Sequence, residues 1–413
     1  MPRPTDHGRH QRASPASQWY ARWRAQCRSL LLCWLALAMI WPSVARAIDG
    51  DDLLVRAGVG IQYETNLFRL PSNPVSDMIT FESAGLSFVR PTSAQVFRAS
   101  FNVQNNHYRE YSYLDGISYN SALGWRLLHG EADTLDVDVS YSRALLGFAD
   151  VRTTGRPSIN VAAASVRGSV QFVPRWSAIA GVGTTTTDNQ PASRSYLNYQ
   201  LDFLETGARF DWRTGSVFDF VWRNQTAKFT QADSSANGAD GYNENLVGVR
   251  MNWQVSEATS VFGRFGLQSR DYVASDNPNF TGLSYVMSMR WQPRASLTID
   301  ATARNELSAA AEINASYARM RGLNVGAAWQ ATGKTVVRAG AEVLNRNFTG
   351  TPGTVAAGPE RQDKIYGATI GVAYRPMRTV ELGVDYRLDR RDSNNASYDY
   401  KAQVVVLRAS LEF

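Results

Sequence analysis

The sequence predicts an all-β fold, a transmembrane antiparallel up-and-down β-barrel of about 18 strands, in the range 16–18. Three observations predict it. Beyond residue 47 the chain reads as a long series of segments alternating apolar and polar residues, with almost no helical periodicity. The segments are joined alternately by short tight turns and by longer polar loops. An aromatic residue recurs just before the short turns. A strand whose side chains see two different environments shows this period of two. A lipid-embedded barrel turns the apolar face outward and lines a wet lumen with the polar one.

The first 47 residues read as a separate leader. Arg22, Arg24 and Arg28 precede an apolar run from Leu30 to Trp41, and Ala45-Arg46-Ala47 supplies small residues for cleavage. This is the pattern of a secretory signal peptide, and the run is too short to cross a bilayer as a helix of about 20 residues. Both cysteines, Cys27 and Cys33, fall inside it. Leu30-Leu31-Leu32-Cys33 lacks the small residue that a lipidation site wants before its cysteine. Residues 48–413 are therefore expected as the exported barrel domain, without disulfides or thiolate metal sites. The formal charge of +6 belongs to the leader, which holds seven arginines and one acid, Asp6. The remaining chain is neutral, which removes the case for nucleic-acid binding.

The strands can be followed in order. Leu53, Val55, Ala57, Val59, Ile61 and Tyr63 alternate with Arg56, Gly58, Gly60, Gln62 and Glu64. Phe97, Ala99, Phe101 and Val103 oppose Arg98, Ser100, Asn102 and Gln104. Phe218, Phe220 and Trp222 alternate with Asp219, Val221 and Arg223. Val247, Val249, Met251 and Trp253 oppose Gly248, Arg250, Asn252 and Gln254. Val337, Ala339, Ala341 and Val343 oppose Arg338, Gly340, Glu342 and Arg346. Val380, Leu382, Val384, Tyr386 and Leu388 alternate with Glu381, Gly383, Asp385, Arg387 and Asp389. The last segment, Tyr398 to Phe413, alternates to its end; the terminal Phe413 is expected to serve as the signal read by the barrel-assembly machinery.

Short turns are expected at Arg90 to Ser93, Trp212 to Ser216, Gln254 to Glu257, Gln292 to Arg294, Gln330 to Lys334 and Arg375 to Arg378. Long loops are expected at Arg69 to Asp77, Asp150 to Asn160, Gln231 to Gly241 and Thr349 to Gln362. Nine long loops and eight short turns place both termini at the periplasmic end. Phe88, Trp125, Phe172, Trp212, Trp253, Trp291, Trp329 and Tyr374 would form an aromatic girdle at that end. On the opposite parity, Arg56, Arg98, Arg223, Arg250, Arg338, Glu342, Arg346, Glu381, Asp385, Arg387 and Asp389 are expected to line the lumen. They would neutralise one another in ladders that fix register, form a path for a polar polymer, or do both at once.

Catalytic motifs are missing. There is no G-x-S-x-G, no H-E-x-x-H and no phosphate-cradling glycine loop. No cofactor or metal is expected. The two histidines after the leader, His107 and His129, are assigned to opposite ends of the barrel and cannot share a site. An enzyme at the rim would have to be built on His107, beside Tyr108, Arg109, Glu110 and Tyr111.

Several stretches carry a family resemblance. They are Tyr63-Glu64-Thr65-Asn66-Leu67-Phe68-Arg69-Leu70-Pro71 with Asp77-Met78-Ile79-Thr80, then Tyr111-Ser112-Tyr113-Leu114-Asp115, then Asp389 to Ser393 with Tyr398-Asp399-Tyr400. Together they resemble the EpsL-type outer-membrane proteins of exopolysaccharide biosynthesis, associated with exosortase and PEP-CTERM systems in Gram-negative bacteria. The resemblance implies a role in making or exporting a polysaccharide across the outer membrane, with a polysaccharide substrate and export components as partners. It brings no catalytic residue. An outer-membrane location also makes membrane lipid and lipopolysaccharide expected partners. The alternative on the same residues is a general or solute-specific diffusion porin, and a third reading is the rim enzyme.

Overall fold

The structure, a computed structural model, describes residues 52–130, 133–151, 155–190, 192–212, 215–230, 241–273, 279–309, 317–350 and 360–413. The expected leader, and most of the predicted loops at 231–241 and 349–362, lie outside the described residues. Eighteen strands follow one another. The first six are β1 (Leu53–Glu64), β2 (Asp77–Pro91), β3 (Gln95–Tyr108), β4 (Gly116–His129), β5 (Asp133–Leu145) and β6 (Ser158–Val173). Then come β7 (Trp176–Gln190), β8 (Tyr199–Asp211), β9 (Val217–Phe229), β10 (Gly241–Ser256), β11 (Thr259–Tyr272) and β12 (Phe280–Arg294). The last are β13 (Leu297–Ala309), β14 (Tyr317–Thr332), β15 (Thr335–Thr349), β16 (Gln362–Met377), β17 (Val380–Ser393) and β18 (Tyr400–Glu412).

Each strand pairs antiparallel with its neighbours in sequence, and β1 pairs with both β2 and β18. The closing seam runs from Arg56 opposite Glu412 to Glu64 opposite Val404. The sheet is thus a closed up-and-down barrel of 18 strands, and closure leaves no strand edge unpaired. Long connections follow the odd strands and short ones the even strands, as the sequence pattern predicts.

The burial is inverted relative to a soluble sandwich. Leu123, Leu267 and Val384 are 61%, 61% and 50% exposed, whereas Glu205, Asp219 and Asp389 on the opposite parity are buried. An apolar face left to its surroundings over every strand is what lipid contact requires. Its lower edge carries Phe172, Trp212, Trp291, Trp329 and Tyr374, all exposed at the short-turn end.

The short turns lie up to three residues later than the sequence places them. β12 runs through Gln292-Pro293-Arg294, and β16 runs through Pro376. The register slips by a residue at Trp291/Arg294 and at Tyr374/Met377, and likewise in β6, β10 and β14. A bulge leaves one residue out of the ladder, so a proline without an N–H is tolerated there.

With the apolar face turned outward, the described interior holds a small apolar core at the long-loop end. Leu67, Ile79, Tyr108, Leu114 and Phe148 are buried together, and Phe68 packs edge-on against Tyr111 and Phe148 at 4.8 and 5.0 Å. Three connections contribute to it: those after β1, β3 and β5. It anchors the first loops inside the barrel mouth.

Candidate functional site

The connection after β5 does not stay on its own side of the barrel. Asp150 in that loop accepts from Arg346 Nη1 of β15, 3.0 Å from each carboxylate oxygen, and from Arg391 Nη1 of β17 at 3.0 Å. Arg361, at the entry to β16, stands 4.0 Å away. Arg391 also donates to the carbonyl oxygens of Ala149 and Tyr398. Five strands separate β5 from β17 one way round and eight separate β6 from β15 the other way. These contacts therefore cross the interior. Arg391 is fully buried and Asp363 sits behind it at 3.7 Å, also paired with Arg361. Burial alone would raise the Asp150 carboxyl, but the guanidinium groups of Arg346, Arg391 and Arg361 outweigh it and hold the group below its usual range. The result is an ionic latch that pins a loop across one side of the mouth.

The wall of β6 to β13 is built differently. Arg167, Arg209, Arg223 and Arg250 all point inward onto two buried carboxylates, Glu205 and Asp219. Arg250 bridges them, with Nη2 2.8 Å from Glu205 and Nε 3.3 Å from Asp219. Arg209 Nε donates to Asp219 at 2.8 Å, and Arg167 pairs with Glu205. Arg223 lies 3.7 Å from Glu205 and stacks at 3.8 Å on the ring of Phe203, which itself lies across Gly183, where a side chain would collide with it. One strand further, Arg264 and Arg304 share Glu306 at 2.8 and 3.9 Å. These six guanidinium groups share three carboxylates, while Glu244 on the same wall is paired with Arg270 at 2.6 Å. Arg167, Arg209, Asp219, Arg250, Arg264, Arg304 and Glu306 border a recess of about 740 Å³. Low-dielectric walls focus such a surplus of positive charge into the recess. The chemistry available there is attraction and transient pairing of anions.

Residues 230–413 match a family model described as putative beta-barrel porin 2. The chain is similar to that family over β10 to β18, a little under half of its length. No curated protein matches it. Among solved structures the barrel is similar to OccK2 (OpdF) of Pseudomonas aeruginosa, at 8% identity over 88% of this chain and 98% of that one, with a TM-score of 0.49. It is also similar to OpdO of Pseudomonas aeruginosa, at 11% identity over 88% and 98% with a TM-score of 0.49, and to OccAB4 of Acinetobacter baumannii, at 9% over 88% and 98% with a TM-score of 0.46.

The eleven charged residues singled out in the sequence fall on the inward parity of the barrel, in separate groups. Arg223 and Arg250 belong to the arginine wall and Arg346 to the latch. Arg56 pairs with Glu412 at 2.8 Å, and with Arg338 and Glu381 it borders a recess of about 260 Å³ at the short-turn end. Glu381 pairs with Arg375 at 2.8 Å, Asp385 with Arg408, and Arg387 with Asp389 at 2.8 Å. Arg98 stands 4.0 Å from Asp136, which Arg126 holds at 2.6 Å. Glu342 stands beside Gly367. Arg167, Arg209, Arg264 and Arg304 were missed although the same parity argument reaches them. Asp150, Arg361 and Arg391 carry no sequence signal, because their partners are brought together only by closure.

His107 occupies the outward parity of β3, on the same face as Phe97 and Phe101. Its ring lies 2.8 Å from Asn105, 3.5 Å from Glu82 and 3.6 Å from Asp115. It therefore faces away from the lumen recess. Tyr108 is buried on the opposite face. Among the described residues no cluster of side chains is arranged to hold a metal ion.

Proposed function

We infer that the barrel is a selective diffusion channel for small anionic solutes. The observation that carries this reading is the recess on the β6–β13 wall, which five arginines and two carboxylates border. The loop after β5 is tied to β15 and β17, on the part of the ring that excludes the arginine-bearing wall. An anion moving down this wall exchanges one guanidinium for the next. No single site binds tightly, because each arginine is already partly satisfied by Glu205, Asp219 or Glu306. The export of a polysaccharide, implied by the family resemblance, rests on that resemblance alone, and a loop pinned across the mouth favours small solutes over a polymer.

The test is ion selectivity of the purified barrel in a planar bilayer under a KCl gradient. The expected reversal potential shows preference for chloride. Replacing Arg250 and Arg304 by Gln moves it toward cation preference, while Arg250→Lys, which keeps the charge and loses the bridge, leaves it near the wild-type value. A cation-selective or non-selective wild-type barrel would overturn the reading. So would loss of extracellular polymer in a deletion strain with unchanged uptake of small anions.

A further inference from the structure

The outer surface above the apolar band is charged unevenly. Among the described residues, β2 to β11 present two cations there, Arg143 and Lys228, against four carboxylates, Glu82, Asp188, Asp202 and Asp271. On β14 to β18 the ratio is reversed. Arg319, Arg321, Lys364, Arg390 and Lys401 face outward with a single carboxylate, Asp392, among them on these strands. Register fixes their arrangement. Arg321, Asn345, Lys364 and Asp392 are successive partners across four neighbouring strands. One row closer to the apolar band, Arg390 stands directly opposite Lys401 and also opposite Tyr366. Arg390 donates its Nε to Asp392 at 2.8 Å, and Lys364 stands opposite that same carboxylate in the register. Like charges placed directly opposite on adjacent strands are destabilising unless an anion lies between them. The exposed Leu323, Tyr366, Leu388 and Val405 begin immediately below.

We propose that this face is a binding site for the phosphate groups of an outer-leaflet lipid of the lipid A type. Its acyl chains lie along the apolar band beneath. Charge complementarity selects a phosphate, and continuity with the lipid-facing surface selects a membrane lipid over a soluble anion. Strands stand about 4.8 Å apart, so Arg321 and Lys364 straddle roughly 10 Å, with the Asn345 amide between them as a further donor. Lysine suits this place, since its flexible stem can run along apolar surface while the ammonium group reaches the headgroup.

The experiment measures binding of bis-phosphorylated lipid A to the detergent-purified barrel by native mass spectrometry, with dephosphorylated lipid A as the comparison. The wild-type barrel retains the phosphorylated lipid and releases the dephosphorylated one. Each cation removed weakens binding about fivefold, and Lys364→Gln, Arg390→Gln and Lys401→Gln together weaken it on the order of 100-fold. Lys228→Gln, on the acidic side, changes nothing. Should the triple variant fail to assemble, Lys401→Gln alone is read for the fivefold loss. Equal retention by variant and wild type, or equal binding of the dephosphorylated lipid, would overturn the proposal. Anion selectivity is untouched by these outward substitutions, so either reading can fail without the other.

Discussion

Replacing Asp150 with Asn tests whether the loop after β5 is held across the mouth by charge. The change removes the carboxylate shared by Arg346 and Arg391, each at 3.0 Å, and leaves the side chain nearly the same size. Removing one partner of a fully buried ion pair costs about 3–5 kcal/mol. Asp150 is 29% exposed and Arg391 keeps Asp363 at 3.7 Å, so about 2 kcal/mol is the better figure here. That shifts the latched–released equilibrium of the loop roughly 30-fold. The barrel wall loses nothing, because its ladder does not pass through the loop. Single-barrel recordings should therefore show a larger conductance and more open-channel noise, and protease should cut the loop faster. The pH dependence follows from the depressed carboxyl. The latch is fully formed above the usual carboxylate range, near pH 4, and fades as pH falls through the lower value that Asp150 has in place. Wild-type conductance should stay level from about pH 8 to 5 and rise only below about 4, while the Asn variant stays high throughout. A variant with wild-type conductance, noise and protease resistance would refute the latch.

Two further outcomes follow from the assignment of faces. Val384→Arg, on the outward face of β17, should lower barrel stability by about 2–4 kcal/mol, measured by urea unfolding in lipid vesicles. Asp385→Asn, its inward neighbour paired with Arg408, should cost clearly less, and equal costs would mean that the faces are exchanged. Deleting Phe413, which directly follows β18, should reduce the amount of heat-modifiable barrel recovered from the outer membrane. Unchanged recovery would remove the terminal residue from the assembly signal.

How far the sequence reaches depends on contrast between faces. β17 was legible throughout because Val, Leu and Tyr alternate with Glu, Asp and Arg over its whole length. β6 was not: Ala162 and Ala164 face out while Ala163 and Ser165 face in, so the period carries almost no contrast and Arg167 stands out from nothing. The turns slipped for a physical reason as well. Pro293 and Pro376 read as turn residues, yet both sit at bulges where the ladder does not need their missing N–H. The latch lay beyond reach altogether. Asp150 and Arg391 are 241 residues apart, and only closure of the 18-stranded ring brings the ends of β5 and β17 within crossing distance.

A chain that is neutral beyond residue 47 still produces strong local fields, because residue type and parity sort its charges. Only four of its 43 basic residues are lysines, and three of these, Lys228, Lys364 and Lys401, stand on the outward parity. The lumen is served by arginine. A planar guanidinium offers five donors and is weakly hydrated, so one group can hold two carboxylates, as Arg250 does with Glu205 and Asp219, and still present N–H groups to water. An ammonium in the same place would satisfy one carboxylate and leave the other buried and unpaired, which is costly. The same carboxylates therefore do two things. They fix the arginines rigidly in the wall, and by being too few they leave that wall positive. A neutral ladder would need one more acid for each pair of arginines. Where that acid is missing, between β6 and β13, the unspent charge faces the lumen.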